Sequence, residues 1–197
     1  MDIVDEHWWS RQSNNLSYVQ YDFFGTQVLV GNRPDYGGCT KEFTSHVDAW
    51  FSVTDRVPQS PPGSRYEWYP WVEECLPTES LIAAVIRLHQ LFLDDHIKCI
   101  YLHCDAGTHR SPSLFGLAAY FYDGCHDRIW ERPQMRPILV RGMFNVATGH
   151  WSDPAYYAKT YLNDPKLPWV PGALKMAKED PQAALRHVAE VTRGSKL

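Results

Sequence analysis

Nine residues, His103-Cys104-Asp105-Ala106-Gly107-Thr108-His109-Arg110-Ser111, stand between two apolar runs and constrain this chain more than any other feature. The run before them, Lys98-Cys99-Ile100-Tyr101-Leu102, reads as a buried strand. The run after them, Ser113-Leu114-Phe115-Gly116-Leu117-Ala118-Ala119-Tyr120, reads as a helix. The loop between delivers several backbone N–H groups to a helix N-terminus, where unpaired donors and the positive end of the helix dipole favour an anion. Gly107 permits a positive φ in a loop this tight. Helix-end N–H groups and a neighbouring arginine favour a cysteine's thiolate, its nucleophilic form. A planar guanidinium engages two phosphoryl oxygens at once, which an ammonium does not. The stretch therefore predicts an oxyanion cradle with a nucleophile, Cys104, in its floor.

His103, Cys104, Gly107, Arg110 and Ser111 match an H-C-x-x-G-x-x-R-S/T loop. On these residues the chain resembles the cysteine-dependent protein tyrosine phosphatases, with compact flanks similar to the dual-specificity subgroup. The similarity runs from about Tyr18 to Tyr122 and fades beyond. The resemblance implies a metal-independent phosphatase without cofactors, acting on phosphotyrosine, phosphoserine or phosphothreonine in proteins through a cysteinyl-phosphate. It makes Cys104 the nucleophile. Arg110 and the loop residues Asp105, Ala106, Gly107, Thr108 and His109 would bind the phosphate, and Ser111 would help expel the thiolate. His103 is expected to order the loop rather than move protons, and His109 to sit on its rim.

Such an enzyme needs an acid for the leaving oxygen and later a base for water. The family places an aspartate on a loop upstream of the cysteine. The matching stretch here, Trp71-Val72-Glu73-Glu74-Cys75-Leu76-Pro77, offers Glu73 at that position, with Glu74 the runner-up and Asp55 a weaker candidate. Glutamate is one methylene longer, so this departs from the family pattern. The resemblance implies that Asp105 points outward; turned inward, an acid there would disfavour the thiolate and repel a dianion. The variable loop positions carry Asp, Ala, Thr and His rather than Lys, which counts against multiply phosphorylated ligands. Two rival readings stand beside the phosphatase: an RNA 5′-triphosphatase, known for relatives with this loop, and a phosphate-binding pseudophosphatase.

Net charge of −4 without a clustered basic patch argues against a general nucleic-acid partner. Five cysteines, at 39, 75, 99, 104 and 125, form no C-x-x-C pair, so neither a disulfide framework nor a structural metal is indicated, and Cys99 reads as structural. No apolar run approaches the roughly 18 residues that span a bilayer, and the acidic start does not resemble a signal peptide. A soluble, cytoplasmic protein is expected. Ser195-Lys196-Leu197 reads either as a peroxisomal address or as a cloning scar. The sequence leaves the oligomeric state and the physiological substrate open.

With 197 residues, 44% of them hydrophobic, the chain suits one α/β domain: a central, mostly parallel (mixed) sheet flanked by helices, phosphatase-like, with a helical C-terminal extension. The expected division is a catalytic domain over 1–165 and an extension over 166–197, packed on or trailing the domain. Strands are predicted over 18–21, 27–31, 49–53 and 98–102. Helices are predicted over 41–46, from 77 to about 94, and, from two Asp-Pro starts, over 154–163 and 181–193. Residues 58–70, rich in proline and aromatics, read as an ordered surface loop. Asn32-Arg33 resembles the asparagine–arginine pair of a phosphotyrosine-recognition loop, but its position at a strand end favours a structural turn.

Overall fold

A computed structural model describes residues 18–23, 25–34, 41–56, 65–71, 78–107, 110–123, 144–145, 150–151, 165 and 167–194. Tyr18–Phe23 (β1) and Thr26–Gly31 (β2) pair antiparallel. Gly25, at φ +80°, makes their turn, and its N–H donates to Asp22 Oδ1 at 3.0 Å. Lys41–His46 (α1) leads to Ala49–Ser52 (β3), followed by Arg65–Trp68 (β4), Thr78–Phe92 (α2) and Cys99–His103 (β5). Arg110–Asp123 (α3) comes next, then a ribbon of Phe144–Asn145 (β6) and His150–Trp151 (β7). Val170–Glu179 (α4) and Pro181–Gly194 (α5) complete the described elements.

The main sheet has the order β1-β2-β5-β3-β4. Every pairing except β1 with β2 is parallel, so the sheet is mixed as expected. All five residues of β5 are buried, because a central parallel strand is covered on both faces. Its alternation divides the core. Ile100 and Leu102 join Val28, Val30, Phe51 and the helices α2, α3, α4 and α5. Cys99 and Tyr101 face the other way, with Leu29, Trp50 and Phe43 of α1. A strand sandwiched in this way has little freedom to shift.

Helix α2 matches its predicted apolar face: Leu81, Ile82, Val85, Leu88, Leu91 and Phe92 are all buried. The C-terminal helices pack against it, burying Val170, Ala173, Ala184 and Val188 in the same core cluster. The predicted Asp-Pro start of α5 is present: Asp180 Oδ1 accepts from the Ala183 N–H at 2.9 Å. Asp180 also closes α4, its own N–H donating to the Met176 carbonyl. The predicted helix over 154–163, like residues 195–197, lies outside the described residues.

Three expectations need correction. Residues 65–68 are a strand rather than part of a loop; they lie at the sheet edge, are half-buried, and lack apolar alternation. Their charged side chains pair instead. Glu67 accepts from Arg87 Nε at 3.0 Å, and Arg65 reaches Asp94 at 3.2 Å. Helix α4 lies within the expected helical extension, but the sequence signals a helix start there only at 181; Pro171 stands in the first turn of α4, where a proline loses no hydrogen bond. Helix α3 begins at Arg110 rather than at 113, with Pro112 again tolerated in the first turn.

Glu67 neutralises Arg87, whose side chain is 15% exposed, and ties β4 to α2. Glu67→Ala should lower unfolding free energy by about 1–2 kcal/mol, less than for a fully buried pair. A urea midpoint shifted at constant m-value is the expected measurement.

Candidate active site

The loop after β5 emerges at the carboxyl end of the central strand, where open α/β sheets bind ligands. Both neighbouring strands anchor it. The Cys104 N–H donates to the Gly31 carbonyl at 3.4 Å, and the Arg33 N–H donates to the Asp105 carbonyl at 3.0 Å. On the other side Val53 N–H donates to the His103 carbonyl at 2.9 Å. Gly107 has φ +71°, and a Cβ built there would stand 2.5 Å from the Gly31 carbonyl carbon and 2.6 Å from Asn32 N. Glycine is needed here twice over, for its conformation and for its lack of volume.

The Cys104 side chain is turned into this ring and is 2% exposed. Its sulfur accepts from the Gly107 N–H at 3.2 Å and lies 3.4 Å from Ser111 Oγ. Ser111 Oγ is also 3.3 Å from the Gly31 carbonyl, so one hydroxyl proton has two acceptors. Both groups are donors directed at the sulfur.

Arg110, on the first turn of α3, is 7% exposed. Its NH1 donates to the Trp71 carbonyl at 2.8 Å and stands 3.9 Å from Asp55 Oδ1. The Trp71 carbonyl belongs to the chain leaving β4. That segment is fixed by the Tyr69 N–H on the Ser52 carbonyl at 2.9 Å and by Tyr69 stacked on Phe51. The other arm of the guanidinium, NH2, meets Asp105 Oδ2 at 2.6 Å.

Asp105 therefore does not point outward as expected. A guanidinium this buried demands acceptors, and the carboxylate five residues earlier on the same loop is within reach. Its second oxygen lies 3.5 Å from Arg33 NH1, so the carboxylate bridges two arginines. Arg33 is more than a strand-end turn residue. The local pattern offers a recognition role only as the lesser reading; Arg33 reaches the loop because β2 lies beside β5, and strand order is a long-range property. The backbone acceptors at Gly31 and Trp71 are equally invisible to residue type.

His103 is fully buried, and burial pushes its imidazole from the usual 6.5 down to about 4, leaving it neutral near pH 7. Cys99 opens the same strand on the face of Tyr101, away from the cluster that holds Cys104; burial, with Asp48 nearby, pushes its thiol up to about 12. It is inert where Cys104 is presented to a donor ring. Ala106 is exposed on the loop. Glu73, Glu74, Thr108 and His109 lie outside the described residues.

No protein-family model matches the chain, and no curated protein does. Among solved structures it is similar to the tyrosine phosphatase OH1 from the Orf virus, at 18% identity, covering 75% of each chain, with a TM-score of 0.40. It is similar to DUSP15 at 12% identity over 87% of this chain and 95% of that one, with a TM-score of 0.46. The core catalytic domain of the PP-IP phosphatase SIW14 from S. cerevisiae matches at 12% identity over 75% and 88%, with a TM-score of 0.44. At this distance the chemistry of the site rests on its own geometry.

Gly107→Ala should destabilise the fold by about 1–3 kcal/mol, since strain and overlap with β2 act together. The thermal midpoint and loss of phosphate-analogue binding are the readouts. A second outcome concerns pH. The unfolded chain protonates His103 near 6.5 but the fold only near 4, so the unfolded state binds more protons between those values. The stability associated with neutral His103 is complete above about pH 6.5 and is lost as pH falls toward 4, by roughly 3 kcal/mol in all. Urea unfolding from pH 7 to 4 should show a shallower loss for His103→Gln than for wild type.

Proposed function

We propose that this chain is a cysteine-dependent phosphatase that hydrolyses phosphomonoesters, with phosphorylated protein side chains as its substrates. One observation carries the reading: the Cys104 sulfur, faced by the Gly107 N–H at 3.2 Å and the Ser111 hydroxyl at 3.4 Å, shares its loop with a buried arginine. These are a nucleophile and a cation for phosphoryl oxygens, held by one strand–loop–helix unit.

In this reading the Cys104 thiolate attacks phosphorus in line with the ester oxygen. The sulfur–phosphorus bond forms as the phosphorus–oxygen bond breaks, and Glu73, assigned from its sequence position, protonates the departing oxygen. The loop N–H groups and Arg110 hold the three equatorial oxygens while they gather charge. Water then attacks the cysteinyl-phosphate and gives its proton to the Glu73 carboxylate. Sulfur leaves as thiolate, aided by a hydrogen bond from Ser111, and inorganic phosphate is released. Neutral His103, buried under the loop, takes no proton in these steps. Among the described residues no helix is long and apolar enough to cross a membrane. The reading places the protein in the reducing cytoplasm, where thiols persist.

A second reading, a binder that holds phosphorylated peptides without turnover, is favoured by one observation, the Asp105 carboxylate on Arg110. Rapid acid quenching with a labelled aryl phosphate separates the two. A covalent adduct in wild type, missing in Cys104→Ser, is expected, together with vanadate inhibition. Arg110→Lys should lower kcat/KM at least about 10²-fold. Peptide binding with neither adduct nor turnover would establish the binder instead.

A further inference from the structure

We propose that Asp105 is a specificity-determining placeholder: its carboxylate holds Arg110 where a phosphoryl oxygen binds, and an entering oxyanion displaces it while Arg33 retains it. The inference rests on the phosphatase reading and adds what a substrate must break in order to enter.

The four charged groups at the mouth define the exchange. Arg110 directs one guanidinium arm to the Trp71 carbonyl and the other to Asp105 Oδ2. A bidentate grip on a phosphoryl group needs two donors on one edge of the fork, and Asp105 holds the NH2 arm. Asp105 Oδ1 faces Arg33 NH1 at 3.5 Å, and the Arg33 N–H is bonded to the Asp105 carbonyl at 3.0 Å. The two residues thus stay adjacent whichever way the carboxylate faces. The Asp105 and Arg33 side chains are 37% and 47% exposed, so a swing toward Arg33 meets solvent rather than packed core.

The exchange also sets the charge that an anion meets. Arg110 and Arg33 are balanced by Asp105 and by Asp55, which stands 3.9 Å from Arg110. A cradle compensated in this way attracts small oxyanions less than one with a free guanidinium. It therefore favours esters whose remaining contacts add binding energy. After hydrolysis, the return of Asp105 to Arg110 competes with inorganic phosphate and promotes its release.

The test uses the full chain as wild type, Asp105→Asn, Arg33→Met and the double variant, each checked for wild-type circular dichroism. Tungstate Kd is measured by calorimetry, and kcat and KM with an aryl phosphate. Removing a competitor that opposes substrate and transition state alike should lower tungstate Kd and KM by the same factor, about tenfold. Arg33→Met should weaken tungstate binding in wild type and lose that effect in the Asp105→Asn background. Asp105→Ala should repeat the direction of Asp105→Asn. An active wild type in which Asp105→Asn leaves Kd unchanged or raises it overturns the placeholder alone. So does an Arg33→Met effect of equal size in both backgrounds, which would make Arg33 an independent anion contact. If wild type neither binds tungstate nor hydrolyses the ester, the phosphatase reading falls and takes the placeholder with it.

Discussion

Gly107 is driven against the backbone of Gly31 and Asn32, closer than any side chain permits. From that approach the rest of the site follows. With the loop seated on the end of β2, the Gly107 N–H turns inward onto the Cys104 sulfur, and the Gly31 carbonyl becomes a partner of both the Cys104 N–H and Ser111 Oγ. The contact is between main chains and needs no side-chain recognition. It transfers the rigidity of a buried parallel sheet directly to the Cys104 sulfur.

Electrostatically the loop is more self-contained than a bare phosphate cradle. Its arginine meets a backbone carbonyl and a carboxylate at hydrogen-bonding distance, with a second carboxylate nearby. Burying a guanidinium without acceptors is costly, so these partners let the folded chain hold the group ready at 7% exposure. The same contacts that stabilise the protein stand in the way of its ligand. Stability and affinity are set in opposition at one side chain.

Residues 99–123 are legible in the sequence because local rules coincide there. An unbroken apolar run means a strand covered on both faces, a glycine marks the tight turn, and a second apolar run continues as helix. Helix α2 is legible for the same reason, through its broad apolar face. Strand β4 is not, because edge position and ion pairing replace the apolar alternation that would betray it. Helix α4 is hidden by Pro171 and Gly172, whose meaning depends on their place in the first turn. The orientation of Asp105 follows from the burial of Arg110, and the reach of Arg33 from which strands are neighbours; no local spacing encodes either. The Glu73 assignment stays with the sequence, outside the described residues.

Asp180 ends one helix and begins the next, so residues 170–194 bend back as a hairpin clasped onto α2. Only residues 93–98 separate α2 from the strand that leads into Cys104. Melting of the clasp would bare the apolar flank of α2 and loosen the support behind β5. The temperature at which the Cys104 loop loses its shape is thus governed in part by contacts some seventy positions further along the chain.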